Sequence, residues 1–172
     1  MSDTAPEFSR LVRLMRLGPE PFRQDIAATE AERAALARRL GLVSLDRLAA
    51  TVELVREAGG TILMRAEFAA VFAQDCVVSL ERVAGTVGER FALRYGSPEV
   101  EPEEAAPLGE DDPAFEPLTG DAIDIGEAVT QEFSLALPPF PRDPDAAIEA
   151  DVAPQTGDGP FSALSRLLPR GE

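Results

Sequence analysis

Two sets of residues have the types and spacing to do chemistry, one basic and one acidic. Arg65, Arg82, Arg90 and Arg94 share the polar side of segments whose alternate positions are apolar. A row of planar guanidinium groups could grip phosphate oxygens. The plainer reading weighs more: a solvated sheet face on which Glu53, Glu67 and Glu89 neutralise the arginines across the strands. No aromatic residue falls on that side, so stacking of single-stranded bases is not expected. The acidic set is Glu101, Glu103 and Glu104 followed by Glu110, Asp111 and Asp112. These runs lack the loop spacing that calcium requires. They read as a solvated spacer or as an arm that docks a basic protein. Cys76 is the one thiol. Asp75 and two valines flank it, which argues against a lowered thiol pKa and for a structural role.

The missing residue types exclude more. The chain has no His, so neither a Ser-His-Asp nor a Cys-His pair can form and no imidazole can hold a metal. All sixteen basic residues are Arg, which removes the P-loop lysine and Schiff-base chemistry. One cysteine cannot form an intramolecular disulfide or a thiolate zinc site. No cofactor and no metal are expected. The opening MSDTAPEF lacks the apolar core of a signal peptide, and no run reaches the ~18 apolar residues of a membrane span. A lone thiol fits a reducing compartment, so a cytoplasmic location is expected.

Charge and proline divide the chain at one border. Residues 1–98 hold 13 Arg and 13 Asp or Glu, while residues 99–172 hold 18 acids and 3 Arg, so the net charge of −15 lies in the second half. No proline occurs between Phe22 and Ser97, and 12 of the 15 follow from Pro98 onward. A neutral, proline-free block can hold a sheet; an acidic, proline-punctuated stretch has little apolar surface to offset the entropy of ordering it.

Within the first block, Arg10, Arg13 and Arg16 recur every three residues as on a helix face, but the short length of Phe8–Leu17 and the Gly18-Pro19 stop favour a strand or strand-like arm; Phe22–Ala27 reads as a second short strand. Thr29 and Glu32 have capping-box spacing ahead of a helix that stops at Gly41. From Leu45 the period is two. Leu48, Ala50, Val52 and Leu54 share one side, Gly59-Gly60 marks a hairpin, and Ile62, Met64, Ala66, Phe68, Ala70 and Phe72 share one side of the return. QDCVVSLE interrupts, and a third strand follows through Val83, Val87, Phe91, Leu93 and Tyr95. Further on, Asp124 and Glu127 have capping-box spacing, and Ile125, Val129, Phe133 and Leu137 recur at helical spacing. The predicted fold class is α+β: an antiparallel β-meander core with an N-terminal helix and a second helix from the C-terminal half packed on it. The predicted organisation is a core over 1–98, an acidic Pro-rich linker over 99–119, a docking helix within 120–140, and a mostly disordered tail over 141–172 with a short apolar segment at 161–168.

Read together, EFSRLVRLMRLG, QDCVVSLERV, the acidic spacer, DAIDIGEAVTQEFSLALPPFPR and PFSALSRLL resemble the YceD family, the large ribosomal RNA subunit accumulation proteins of bacteria and plastids. The pattern looks most like the alphaproteobacterial branch. The most specific part is the helix start at Asp121, Asp124, Gly126 and Glu127, leading into LALPPFP. The resemblance implies a role in accumulating or processing large-subunit ribosomal RNA, and no known catalytic activity. Many members carry C-x-x-C at the hairpin and further cysteines, suggesting a metal knuckle. Here the hairpin reads Cys76-Val77-Val78-Ser79, so metal binding is not carried over.

The expected function is a non-enzymatic ribosome-biogenesis factor that binds a basic ribosomal or assembly protein through its acidic half. The alternative is direct ribosomal RNA contact through the Arg-bearing sheet face. A carboxylate-based, metal-dependent nuclease is the weakest reading, because the paired acids lie in linker composition rather than in a preorganised core. Neither DNA nor a membrane is expected as a partner. A net negative chain opposes phosphate binding unless its acidic half swings clear.

Overall fold

Three long strands of period two make the centre of the protein. A computed structural model describes residues 6–97 and 113–146. β3 (Ser44–Arg56), β4 (Ile62–Asp75) and β5 (Arg82–Gly96) form the antiparallel meander. Gly59 and Gly60, at φ 89° and 86°, make the β3–β4 turn, where the Glu57 N–H donates to the Thr61 carbonyl at 2.9 Å. Both φ values lie where a side chain is strained, so glycine fits both positions. β2 (Phe22–Ala27) joins the β3 edge antiparallel, and β6 (Ala114–Pro117) joins the β5 edge parallel, giving the order β2-β3-β4-β5-β6.

β6 corrects the expected linker. Residues 114–117 are a strand, and Leu118 packs on the core, its N–H donating to the Gly96 carbonyl at 2.7 Å. The signal was hidden because four residues beside prolines and acids show no period of their own. Of that stretch, residues 99–112 lie outside the described residues.

α1 (Glu30–Leu40) begins as its sequence requires. The Thr29 hydroxyl accepts from the Glu32 N–H at 3.4 Å, the Glu32 carboxylate accepts from the Thr29 N–H at 2.7 Å, and Gly41 ends the helix in the left-handed conformation. Leu36 and Ala37 are buried, and α1 packs on β3. The opening segment is only partly strand: β1 (Leu11–Arg13) runs into one 3-10 turn, Leu14–Arg16. β1 pairs antiparallel with β7 (Ala122–Asp124) as a small second sheet. β7 leads directly into α2 (Ile125–Ala136), which lies on the inner face of the large sheet.

The period-four stripe of α2 forms the roof of the core. Ile125, Val129 and Phe133 are fully buried. Phe133 meets Phe68 and Phe72 edge-on, at ring separations of 6.3 and 5.7 Å. Below it, Leu54, Ile62, Met64, Phe68 and Phe72 are buried at the alternate positions that period two assigns inward. Phe91, also expected there, is only half-buried.

Candidate interaction surfaces

The outer sheet face is open, and its register sets the charges in rows. Arg23, Glu53, Arg65 and Ala92 are cross-strand neighbours, and the next row reads Asp25, Thr51, Glu67, Arg90. Opposite signs alternate along the first row, and in the second Asp25 and Glu67 flank Thr51 while Glu67 faces Arg90. Arg23, Glu53, Arg65, Glu67 and Arg90 line a shallow depression of ≈ 480 Å³. Arg90 Nε donates to Glu67 at 3.0 Å, Arg94 Nε to Glu57 at 2.9 Å, and Arg82 donates to the Ser44 hydroxyl at 2.7 Å with Asp46 at 3.8 Å. Arg65 has no hydrogen-bond or ion-pair partner among the described residues. The Arg90–Glu67 and Arg82–Asp46 pairs are exposed and contribute little to stability, while Arg94–Glu57 is part-buried; together they offset much of the positive charge a phosphate would meet. Glu89, expected among these neutralising acids, is not one of them. It is the neighbour of Phe68 in register and shares the inward side of β5 with Val87 and Phe91.

That inward position places Glu89 in a different group. Glu132 of α2, half-buried at the open edge of the core, feels the charges of Glu89 of β5 and Glu116 of β6. Burial raises the Glu132 carboxyl pKa, and the charges of Glu89 and Glu116 add to it. Tyr95 beside them is pushed up to about 12, first by burial and then by Glu116, Asp124 and Glu132. A carboxylate and a phenol both disfavour ionisation where burial and negative charge coincide. This acidic edge, which the sequence reading missed, is made by β5, which precedes the acidic run in the chain, and by β6 and α2, which follow it. Of the six acids proposed for the arm, Glu101, Glu103, Glu104, Glu110, Asp111 and Asp112, all lie outside the described residues.

The Asp121–Glu127 motif is structural. Asp124 caps α2: its Oδ1 accepts from the Gly126 and Glu127 N–H groups at 3.1 and 3.2 Å and from the Arg10 N–H at 2.7 Å, and its Oδ2 accepts from the Ser9 hydroxyl. Gly126 lies against the Phe8 carbonyl, where a Cβ would overlap backbone. The expected capping box is only half made. Glu127 does not reach back to Asp124 but takes Arg39 of α1 in a two-pronged pair at 2.7 and 3.0 Å. That pair is the main cause holding the Arg39 pKa above its ordinary value. Asp121 contributes its carbonyl, which accepts from the Leu14 N–H at 2.8 Å. Its side chain is exposed.

Cys76 requires a correction. Its Sγ is buried and accepts from the N–H groups of Val78, Ser79 and Asp143, each at 3.4 Å. The thiol is lowered to about 7, chiefly by the Asp143 N–H and then by Ser79. The sequence neighbours pointed the other way, because the largest cause comes from a segment 67 residues downstream. Among the described residues no three His, Cys, Asp or Glu side chains stand where they could share a metal ion. No helix among them is long and apolar enough to cross a membrane.

The described residues form a five-stranded, mostly antiparallel sheet roofed by one helix, an α+β arrangement whose open face carries paired charges. Residues 64–164 match the family model described as Large ribosomal RNA subunit accumulation protein YceD. That span is more than half of the chain, and the chain belongs to this family. No curated protein and no solved structure matches it.

Proposed function

We propose that this chain supports the accumulation of large-subunit ribosomal RNA as a cytoplasmic binding factor that catalyses no reaction, and that its acidic half captures a basic ribosomal or assembly protein. Family membership supports the ribosomal RNA part of this reading. The acidic edge carries the choice of partner. Glu132 of α2 lies within reach of the negative charges of Glu89 on β5 and Glu116 on β6, and the run of seven acids from Glu99 to Asp112 precedes β6 without one basic residue. Uncompensated like charge is costly in the free protein and is relieved by arginine or lysine from a partner. Association would be fast and strongly salt-dependent.

Direct RNA contact is the second reading. It rests on Arg65, which lines the outer depression without a partner among the described residues. Glu53 and Glu67 line the same depression and would repel phosphate. A pull-down from growing cells, with and without ribonuclease, separates the two. A basic protein retained after ribonuclease treatment is the expected result. Recovery of precursor RNA alone, lost with the nuclease, would reverse the assignment.

A further inference from the structure

We propose that the apolar end of the β4–β5 hairpin is the docking site of this chain's own C-terminal segment, Phe161–Leu168. The hairpin tip carries Val77, 51% exposed, and Leu80, 77% exposed, and Phe140 stands beside it at 79%. Leu80 has φ 61°, the one non-glycine residue in the left-handed region among those described. A leucine pays strain there, and here the strained residue turns its apolar side chain to solvent. Next to these residues a cleft of ≈ 330 Å³ opens beyond the end of α2; Phe72, Val83, Pro138 and Phe140 give it apolar walls, and Gln74 and Arg142 also line it. Exposed apolar surface of this kind marks an interaction site.

The path of the chain names the occupant. After Pro138-Pro139 the backbone is tied to the hairpin: the Val77 N–H donates to the Pro141 carbonyl at 2.9 Å and the Asp143 N–H donates to Cys76 Sγ. The described chain ends at Ala146, a few residues past those ties, and fourteen residues separate it from Phe161. Fourteen residues reach at most about 50 Å even fully extended, so the segment stays covalently held near the cleft at high effective concentration. Its own pattern fits the surface. Phe161, Leu164 and Leu168 recur at i, i+3 and i+7 between Pro160 and Pro169. Eight residues are too few for a helix stable alone in water, so the stripe needs a surface to bury against.

The chain has no tryptophan, so Phe161→Trp places a single indole in the full-length protein, with Leu168→Trp as an independent probe. The expected result is blue-shifted emission and several-fold slower acrylamide quenching than in the unfolded chain, unchanged on dilution. Leu80→Ser with Phe140→Ser, both at exposed positions, should return the indole to solvent while the far-ultraviolet circular dichroism stays the same. Leu164→Asp should do likewise. Solvent-like emission from both probes overturns the proposal. So does a blue shift that fades on dilution, which would mean a second copy, or one indifferent to the hairpin variants, which would mean another surface.

Discussion

Gly126 lies against the Phe8 carbonyl with no room for a side chain between them. The contact fixes α2 to the N-terminal segment, and the Asp124 carboxylate reinforces it from the same side by accepting the Arg10 N–H. Gly126→Ala should therefore force backbone apart and destabilise the protein by about 2 kcal/mol, within the range of overpacked substitutions. Gly120→Ala, where an added Cβ meets nothing within 4 Å, should change stability by less than about 0.5 kcal/mol. Urea unfolding of the two variants checks both.

Removing the roof should cost more. Phe133 is fully buried against Phe68 and Phe72, and Phe133→Ala should lose about 3–5 kcal/mol. A fragment ending at Ser97 lacks Ile125, Val129 and Phe133 altogether, and should show no sharp thermal transition, since domain stability totals only ~5–15 kcal/mol. A fragment melting as cooperatively as the full chain would place α2 outside the core.

Glu32 gives an acid-side prediction. Arg10 pairs with it at 2.7 and 3.0 Å and is the main cause lowering its carboxyl to about 2. A depressed folded pKa contributes stability that is present above the ordinary carboxylate range and lost as pH falls toward 2. Arg10→Gln should move the Glu32 midpoint back toward 4.5 in a carbon-detected titration and flatten that part of the stability profile.

Cys76 works in the same direction at higher pH. With the folded thiol at about 7 against 9 for a free one, the thiolate is favoured by folding. Its contribution is fully present above pH 9 and declines as pH falls through 7, so stability from this group rises between those values. Thiolate absorbance of the native protein should show a midpoint near 7. Deletion of residues 143–172, which removes the Asp143 N–H, should raise it.

Much of this was legible in particular residues. Thr29, Glu32 and Gly41 set α1 by local hydrogen bonding and backbone conformation, and the alternation from Ile62 to Phe72 set the buried face of β4. The parts that escaped depend on distant partners. β6 exists by pairing with β5, and the 3-10 turn follows β1 where Leu14 bonds to Asp121. Glu127 chose Arg39 over its own N-cap. Glu89 has the charge of an outer-face residue but the inward position of the period, opposite Phe68 in register. The acidic edge needed β5, β6 and α2 assembled before it could be seen.

The central claim is that acidic residues, not the sheet arginines, carry the interaction that sustains ribosomal RNA. It is tested by complementing a null strain and measuring mature large-subunit ribosomal RNA. One variant replaces Glu101, Glu103, Glu104, Glu110, Asp111 and Asp112 with Ser or Asn. The other replaces Arg65, Arg82, Arg90 and Arg94 with Ser or Gln. Both are confirmed folded by circular dichroism. The acid variant is expected to fail to restore the RNA while the arginine variant restores most of it. Rescue by the acid variant together with failure of the arginine variant would contradict the account and assign the function to direct RNA contact.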